Sequence, residues 1–210
     1  MQGAIFDLDG TLLDSMWVWS YVDEQFLTNH GLPKQEDYLE SLGPLGFYKA
    51  AVYTKDYFHM DCSVDEILND WFLLAKDAYD NQIQLKDGAK EYLEKIKAAG
   101  VRLGIATSNS PELFTGLLTR CGILDLFDGI ATTPEVSRSK EFPDVYLLAA
   151  ERIGTKPEET TVFEDIPQGL RGAKAGGFMT VAVEDPWAAK DRESIKALAD
   201  RYITSFRELL

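Results

Sequence analysis

Ile5-Phe6-Asp7-Leu8-Asp9-Gly10-Thr11-Leu12-Leu13-Asp14-Ser15 is the stretch whose reading decides the fold. Residues 3–8 form a short apolar run, the mark of a buried strand, and Gly10-Thr11 stops it. In an extended backbone alternate side chains share a face, so Asp7 and Asp9 start on one side of one strand end. Two carboxylates that close repel each other unless a cation or a proton separates them. A metal site, an acid–base pair, or both are therefore expected there.

Outward from this stretch the pattern changes to a helical period over residues 15–30. Trp17, Tyr21, Val22 and Phe26 fall on one side, and Gly31-Leu32-Pro33 closes the helix. Helical character continues over about residues 35–80, with breaks near Gly43-Pro44 and around Asp61-Cys62-Ser63. Ser63 with Glu66 makes a capping box in front of the last of these helices. A charged amphipathic helix spans residues 88–100, with Tyr92, Leu93 and Ile96 inward, and residues 101–107 form a second buried strand. Ser110 and Pro111 suit the N-cap and first position of the next helix. Further strands are expected at residues 129–132, 161–164, 178–183 and 202–204, and helices at 143–153 and 168–175.

This alternation implies a parallel sheet with helices on both faces, an α/β doubly wound fold with its ligands at the carboxyl ends of the strands. The first two strands lie about 95 residues apart, whereas a βα unit takes roughly 30. Residues 16–82 are accordingly assigned to an α-helical cap inserted after the first strand, and residues 1–15 plus 83–210 to a Rossmann-like core.

Composition sets the outer limits. The 210 residues suffice for one large domain with a smaller insertion, and 45% apolar residues can fill its core. Acidic residues outnumber basic ones 35 to 21, a formal charge of −14 that repels nucleic acid and anionic membranes. No uncharged apolar run near 18 residues is present and no secretory leader pattern opens the chain, so a cytoplasmic protein, monomeric by default, is expected. Cys62 and Cys121 lack metal-site spacing and are expected as free thiols.

Four polar clusters stand where strands are expected to end: Asp7/Asp9, Thr107-Ser108-Asn109, Lys140 and Glu164-Asp165. Each alone has an ordinary reading: a surface turn, a solvated lysine, a helix cap. In a doubly wound sheet all four converge on one edge. Nucleotide-loop patterns are absent, and an EF-hand loop starting at Asp7 fails at Leu12 and Val18. His30 and His59 both fall in the insertion, away from any nucleophile.

Together the clusters resemble the four motifs of the haloacid dehalogenase superfamily. Asp7 to Ser15 is similar to motif one, Thr107 to motif two, and Lys140 of Lys-x-x-Pro-Asp to motif three. Phe163-Glu164-Asp165-Ile166-Pro167-Gln168-Gly169 is similar to motif four. The position of the helical insertion resembles the subgroup of β-phosphoglucomutase and phosphoglycolate phosphatase. The resemblance implies Asp7 as nucleophile, Asp9 as general acid and base, and Thr107, Ser108, Asn109 and Lys140 as phosphate-binding groups. It also implies Mg²⁺ held by Asp7, Asp9 (through its backbone carbonyl), Glu164 and Asp165. Charge counting agrees, since four carboxylates against one lysine would exclude a phosphate dianion without a divalent cation.

The acid at Asp9 argues against dehalogenation, because the resemblance gives dehalogenases no acid there. β-Phosphoglucomutase-like caps carry a histidine twelve residues after the nucleophile and an arginine loop. Here Trp19 stands at that position and residues 15–82 contain no arginine. A phosphatase acting on a small phosphorylated metabolite is therefore expected, ahead of a phosphomutase or a non-catalytic binding protein. Among the cap residues, Trp17, Phe47 and Lys49 are the candidates for touching substrate. Trp19, Tyr48 and Tyr53 at helical spacing are expected mostly to pack the cap's own core.

Overall fold

A computed structural model describes residues 1–42 and 45–210. Gly43 and Pro44, where the sequence places a break in the helical pattern, lie outside the described residues. The chain divides into two compact units, Met1–Met16 with Ile83–Leu210, and Trp17–Gln82.

Strand β1 (Gly3–Phe6) opens the first unit, and β2 (Leu13–Asp14) follows after a tight turn. The second unit holds α1 (Val18–Asn29), α2 (Glu36–Leu42), α3 (Phe47–Phe58) and α4 (Val64–Asn81). The chain then re-enters the first unit through β3 (Gln84–Leu85), which pairs antiparallel with β2. This two-residue ribbon is too short for any periodicity to announce it. After it come α5 (Ala89–Ala98), β4 (Arg102–Thr107), α6 (Pro111–Cys121), β5 (Gly129–Thr132), α7 (Thr133–Val136) and α8 (Asp144–Ile153). The chain ends with β6 (Thr160–Glu164), α9 (Pro167–Ala175), β7 (Met179–Val183), α10 (Arg192–Leu198) and β8 (Arg201–Ile203).

The main sheet is parallel, in the order β5-β4-β1-β6-β7-β8. The chain builds outward from β1 to one side through β4 and β5, then returns to build the other side through β6, β7 and β8. The carboxyl end of β1 therefore lies at the switch point, where neighbouring connections leave in opposite directions and open a crevice.

Strand alternation gives the sheet two apolar faces. Ile5 and Val162 face a layer containing Ala106, Tyr146, Ala149, Ile153 and Phe178. On the other face Phe6 and Phe163, register partners on β1 and β6, stack at 4.4 Å between ring centroids, with Tyr92 and Phe206 against them. This parity carries forward: Asp7 follows Ile5 by two positions and Glu164 follows Val162 by two. Both carboxylates are thereby directed to the α8 side of the sheet.

Within the helical unit, α1 and α4 bury Val18, Val22, Phe26, Ile67, Trp71 and Ala75, and the Phe26 and Trp71 rings meet edge to face at 5.7 Å. The Ser63–Glu66 capping box forms with both reciprocal hydrogen bonds. Ser110 occupies the N-cap position of α6 but its side chain makes no capping bond; Asn109 Oδ1 accepts the Ser110 N–H instead, at 2.7 Å. Cys62 and Cys121 are free thiols. Among the described residues no helix is long and apolar enough to cross a membrane.

Candidate active site

The regular strand ends at Phe6, not at Leu8 as the apolar run suggests. Asp7 still donates its N–H to Phe163 O at 3.0 Å, and then the chain folds over itself. The Leu8 carbonyl accepts from the N–H groups of Thr11, Leu12 and Leu13. Gly10 makes this turn possible, because its φ is +80° and a Cβ there would run into the Asp165 carboxyl. The turn leaves Asp9 half-buried with hydrogen-bond partners of its own, while its charge still acts on Asp7.

Asp7 is buried and forms an ion pair with Lys140 Nζ. Lys140 also reaches Glu164 Oε1 at 2.6 Å, and Tyr146 Oη donates to the same oxygen at 2.7 Å. Asp165 is 2% exposed and accepts from Thr11 Oγ1 at 3.0 Å. Asp9 is only half-buried; it accepts from Ser15 Oγ at 2.6 Å and from Asn109 Nδ2 at 2.8 Å. Thr107 is buried at the end of β4, and its hydroxyl accepts the Asn109 N–H at 3.0 Å, while Ser108 is exposed.

One expectation changes at this point. Lys140 does not end a strand. It sits in the turn before α8, eight residues past Thr132, the last residue of β5. Nor is it a solvated charge, being only 6% exposed. Two acidic partners inside the sheet edge offset the cost of burying its ammonium, which no local pattern in Ser139-Lys140-Glu141 foretells. The Asn109 amide donates to Asp9 Oδ2, a contact that the sequence reading does not anticipate. Ser15, Thr11 and Tyr146 are site residues that the sequence reading left without a role. Ser15 and Thr11 lie inside the opening stretch, so their position was a usable signal, whereas nothing local marks Tyr146.

Burial pushes the Asp7 carboxyl up to about 7; Lys140 pulls it back, and Glu164 and Asp9 push it further up. Burial likewise holds Asp165 well above the usual carboxylate range, with Glu164 and Asp7 adding to the effect. Burial pulls the Lys140 ammonium down, but Asp7 and Glu164 outweigh it and leave the group more firmly protonated than usual. The site thus holds more negative charge than its lysine compensates.

Oxygens of Asp7, Glu164 and Asp165 come within 4.8 Å of one another, and among the described residues this is the group fit to hold a metal ion. The donors are hard and all oxygen, Lys140 offsets only part of their charge, and they suit a hard divalent cation. The Asp9 side chain stands outside this group; the resemblance assigns it only a backbone carbonyl as ligand. In the helical unit, Trp17 meets Tyr21 edge to face at 5.7 Å, and Phe47 lies against Trp19 and Trp71 at 5.6 and 5.5 Å while 47% exposed. Lys49 is exposed, as is Tyr48, whereas Tyr53 stacks on Tyr38.

A lysine-paired carboxylate thus lies among further buried acids at the switch point of a parallel sheet, where α/β proteins bind their ligands. The profile of the haloacid dehalogenase-like hydrolases matches residues 4–183, and the chain belongs to that family. It is a phosphohydrolase. Validoxylamine A 7'-phosphate phosphatase of Streptomyces hygroscopicus subsp. limoneus is 31% identical, over 86% of this chain and 84% of the relative. Hexitol phosphatase B of Escherichia coli (strain K12) is 26% identical, over 98% of this chain and 93% of the relative. The solved structure of a putative beta-phosphoglucomutase from Thermotoga maritima superposes with a TM-score of 0.85 at 24% identity, covering 100% and 97% of the two chains, a likeness of fold.

Proposed function

We propose that this protein is a Mg²⁺-dependent phosphatase that hydrolyses a small phosphate monoester, of the phosphorylated-carbohydrate kind, through an aspartyl phosphate on Asp7. One observation carries the reading. Asp7 lies inside the acidic group against Lys140, and Asp9 lies outside it, held by Ser15 and Asn109. Two carboxylates in unlike surroundings suit a nucleophile and a separate acid–base group. The names of the relatives support the substrate class.

In this mechanism a carboxylate oxygen of Asp7 attacks phosphorus, and the bond to the ester oxygen breaks. Asp9 gives its proton to the departing oxygen, releasing an alcohol. Asp9 then takes a proton from a water molecule that attacks the aspartyl phosphate, which restores Asp7 and frees inorganic phosphate. Lys140 stays beside Asp7 and neutralises phosphoryl charge, while the Thr107 hydroxyl and the Ser108 N–H hold phosphoryl oxygens. When bound by Asp7, Glu164, Asp165 and the Asp9 carbonyl, Mg²⁺ supplies the positive charge that lets a phosphate dianion enter. Residues 16–82 act as the cap that excludes water and selects the leaving group, with Trp17, Phe47 and Lys49 as the residues to test.

A panel of phosphorylated metabolites assayed with Mg²⁺ tests the reading directly. Release of phosphate from sugar or polyol phosphates is expected, and silence across the panel would overturn it. The second reading, a phosphomutase, is disfavoured by Trp19 and by the lack of arginine in residues 15–82. Interconversion of glucose 1- and 6-phosphates faster than phosphate release would reverse that order.

The acidic group also fixes a pH dependence. Asp7 is raised from 3.8 to about 7 in the folded protein, so the folded state binds this proton more tightly than the unfolded chain does. Without metal, the stability tied to it is complete below about 4 and is lost as pH rises through about 7. Mg²⁺ competes with that proton and binds the carboxylate form. The rise in Tm on adding Mg²⁺ is therefore expected to be small at pH 5.5, to grow through pH 7 and to level off near pH 8. A shift of equal size at pH 5.5 and 8 would count against metal binding at Asp7.

A further inference from the structure

Tyr146 belongs to the apolar layer between α8 and the sheet. It is fully buried, packed with Ile5, Val162, Ala149 and Phe178. Phenylalanine would fill that space with the same ring, and a buried hydroxyl is costly unless it is hydrogen-bonded. Among the described residues its hydroxyl has one partner, Glu164 Oε1 at 2.7 Å. In that bond the phenol O–H is the donor and the carboxylate oxygen the acceptor. Burial, with the adjacent Glu164 charge, raises the phenol well above its ordinary value, so it keeps that proton.

Glu164 is constrained from every other side as well. Lys140 Nζ donates to Oε1 at 2.6 Å, and the Asp165 N–H donates to Oε2 at 3.2 Å. α9 closes against the carboxyl at Gly169, where a Cβ would overlap it. The ammonium thus bridges two acids, Asp7 and Glu164, and one of the two is already partly satisfied by a neutral donor.

We propose that Tyr146 is a positioning residue, whose hydroxyl holds Glu164 Oε1 so that Lys140 remains shared with Asp7 while the Glu164 carboxylate stays in place for the cation. This rests on the function proposed above. When Asp7 becomes an acyl phosphate it loses its negative charge, and Lys140 must turn to the phosphoryl oxygens. A Glu164 unshared with Tyr146 would draw the ammonium away from them.

Tyr146→Phe removes one oxygen and keeps the ring. It is expected to lower kcat roughly 10- to 100-fold, the size of one hydrogen bond to a charged group, with KM changed less than about twofold. The Mg²⁺ concentration giving half of the thermal stabilisation, read without substrate, is expected to rise severalfold. In a Glu164→Ala background, where the hydroxyl has nothing to hold, adding Tyr146→Phe should change kcat less than about twofold. Values of kcat and Mg²⁺ midpoint both within twofold of the parent would overturn the proposal. So would an equal kcat loss in the Glu164→Ala background, which would mean that Tyr146 acts through packing alone. A parent protein inactive on every phosphate yet stabilised by Mg²⁺ would sink the proposed reaction, and the midpoint comparison would still decide the role of Tyr146.

Discussion

Asp7→Asn is expected to reduce phosphate release by at least about 10⁴-fold, because the amide cannot form the aspartyl phosphate. The same substitution should not unfold the protein. At pH 8 the metal-free parent holds Asp7 ionised at a cost, since burial has moved its carboxyl from 3.8 to about 7. The amide removes that cost, and Lys140 keeps Glu164 as a partner at 2.6 Å. The metal-free variant is therefore expected to melt at or above the parent Tm at pH 8, with the advantage gone at pH 5, where the parent carboxyl is protonated. Undiminished turnover would falsify the nucleophile assignment. A large fall in Tm at pH 8 would show that Asp7 is chiefly a structural partner of Lys140.

Lys140→Met is expected to damage both activity and stability. Lys140 is the cation at the centre of the group, and removing it leaves Asp7, Glu164 and Asp165 buried together. Breaking a buried pair by deleting one partner costs about 3–5 kcal/mol. The lysine is raised above its ordinary 10.5, so its contribution is fully present below that value and the loss appears throughout the range near neutrality. The loss should be greater at pH 8 than at pH 6, where protonation of Asp7 relieves part of the repulsion, and Mg²⁺ should recover part of it. Turnover should fall at least about 10³-fold even with Mg²⁺ saturating, since the phosphoryl group loses its fixed cation. Denaturant unfolding at the two pH values checks the first expectation, and phosphate release the second. Parent-like stability at pH 8 would mean that the acids are relieved by something other than this ammonium.

Much of the core is legible along the chain because its signals are local. Strand β5 falls where its apolar run places it, and β4, β6 and β7 fall within a residue of expectation at each end. Helix α5 buries the expected Tyr92, Leu93 and Ile96. The turn after Asp7 is not legible locally, because apolar Leu8 continues the strand pattern while its carbonyl is taken by the turn. The ribbon of β2 and β3 escaped because pairing, not periodicity, defines two-residue strands.

The sequence by itself determined the order of the elements, the insertion between the first two long strands, and the residue types that line the sheet edge. Each of those is written in spacing over a few residues, whereas the β1–β6 register that sends Asp7 and Glu164 to the same face is not. Only the tertiary structure decided what those residues do to one another. Lys140 reaches Glu164 across 24 positions, Tyr146 reaches it across 18, and Asn109 holds Asp9 across 100. Burial and charge at the site are sums over segments brought together by the sheet. No window of sequence contains them, and so Lys140, which alone looks like a surface charge, becomes the buried cation between Asp7 and Glu164.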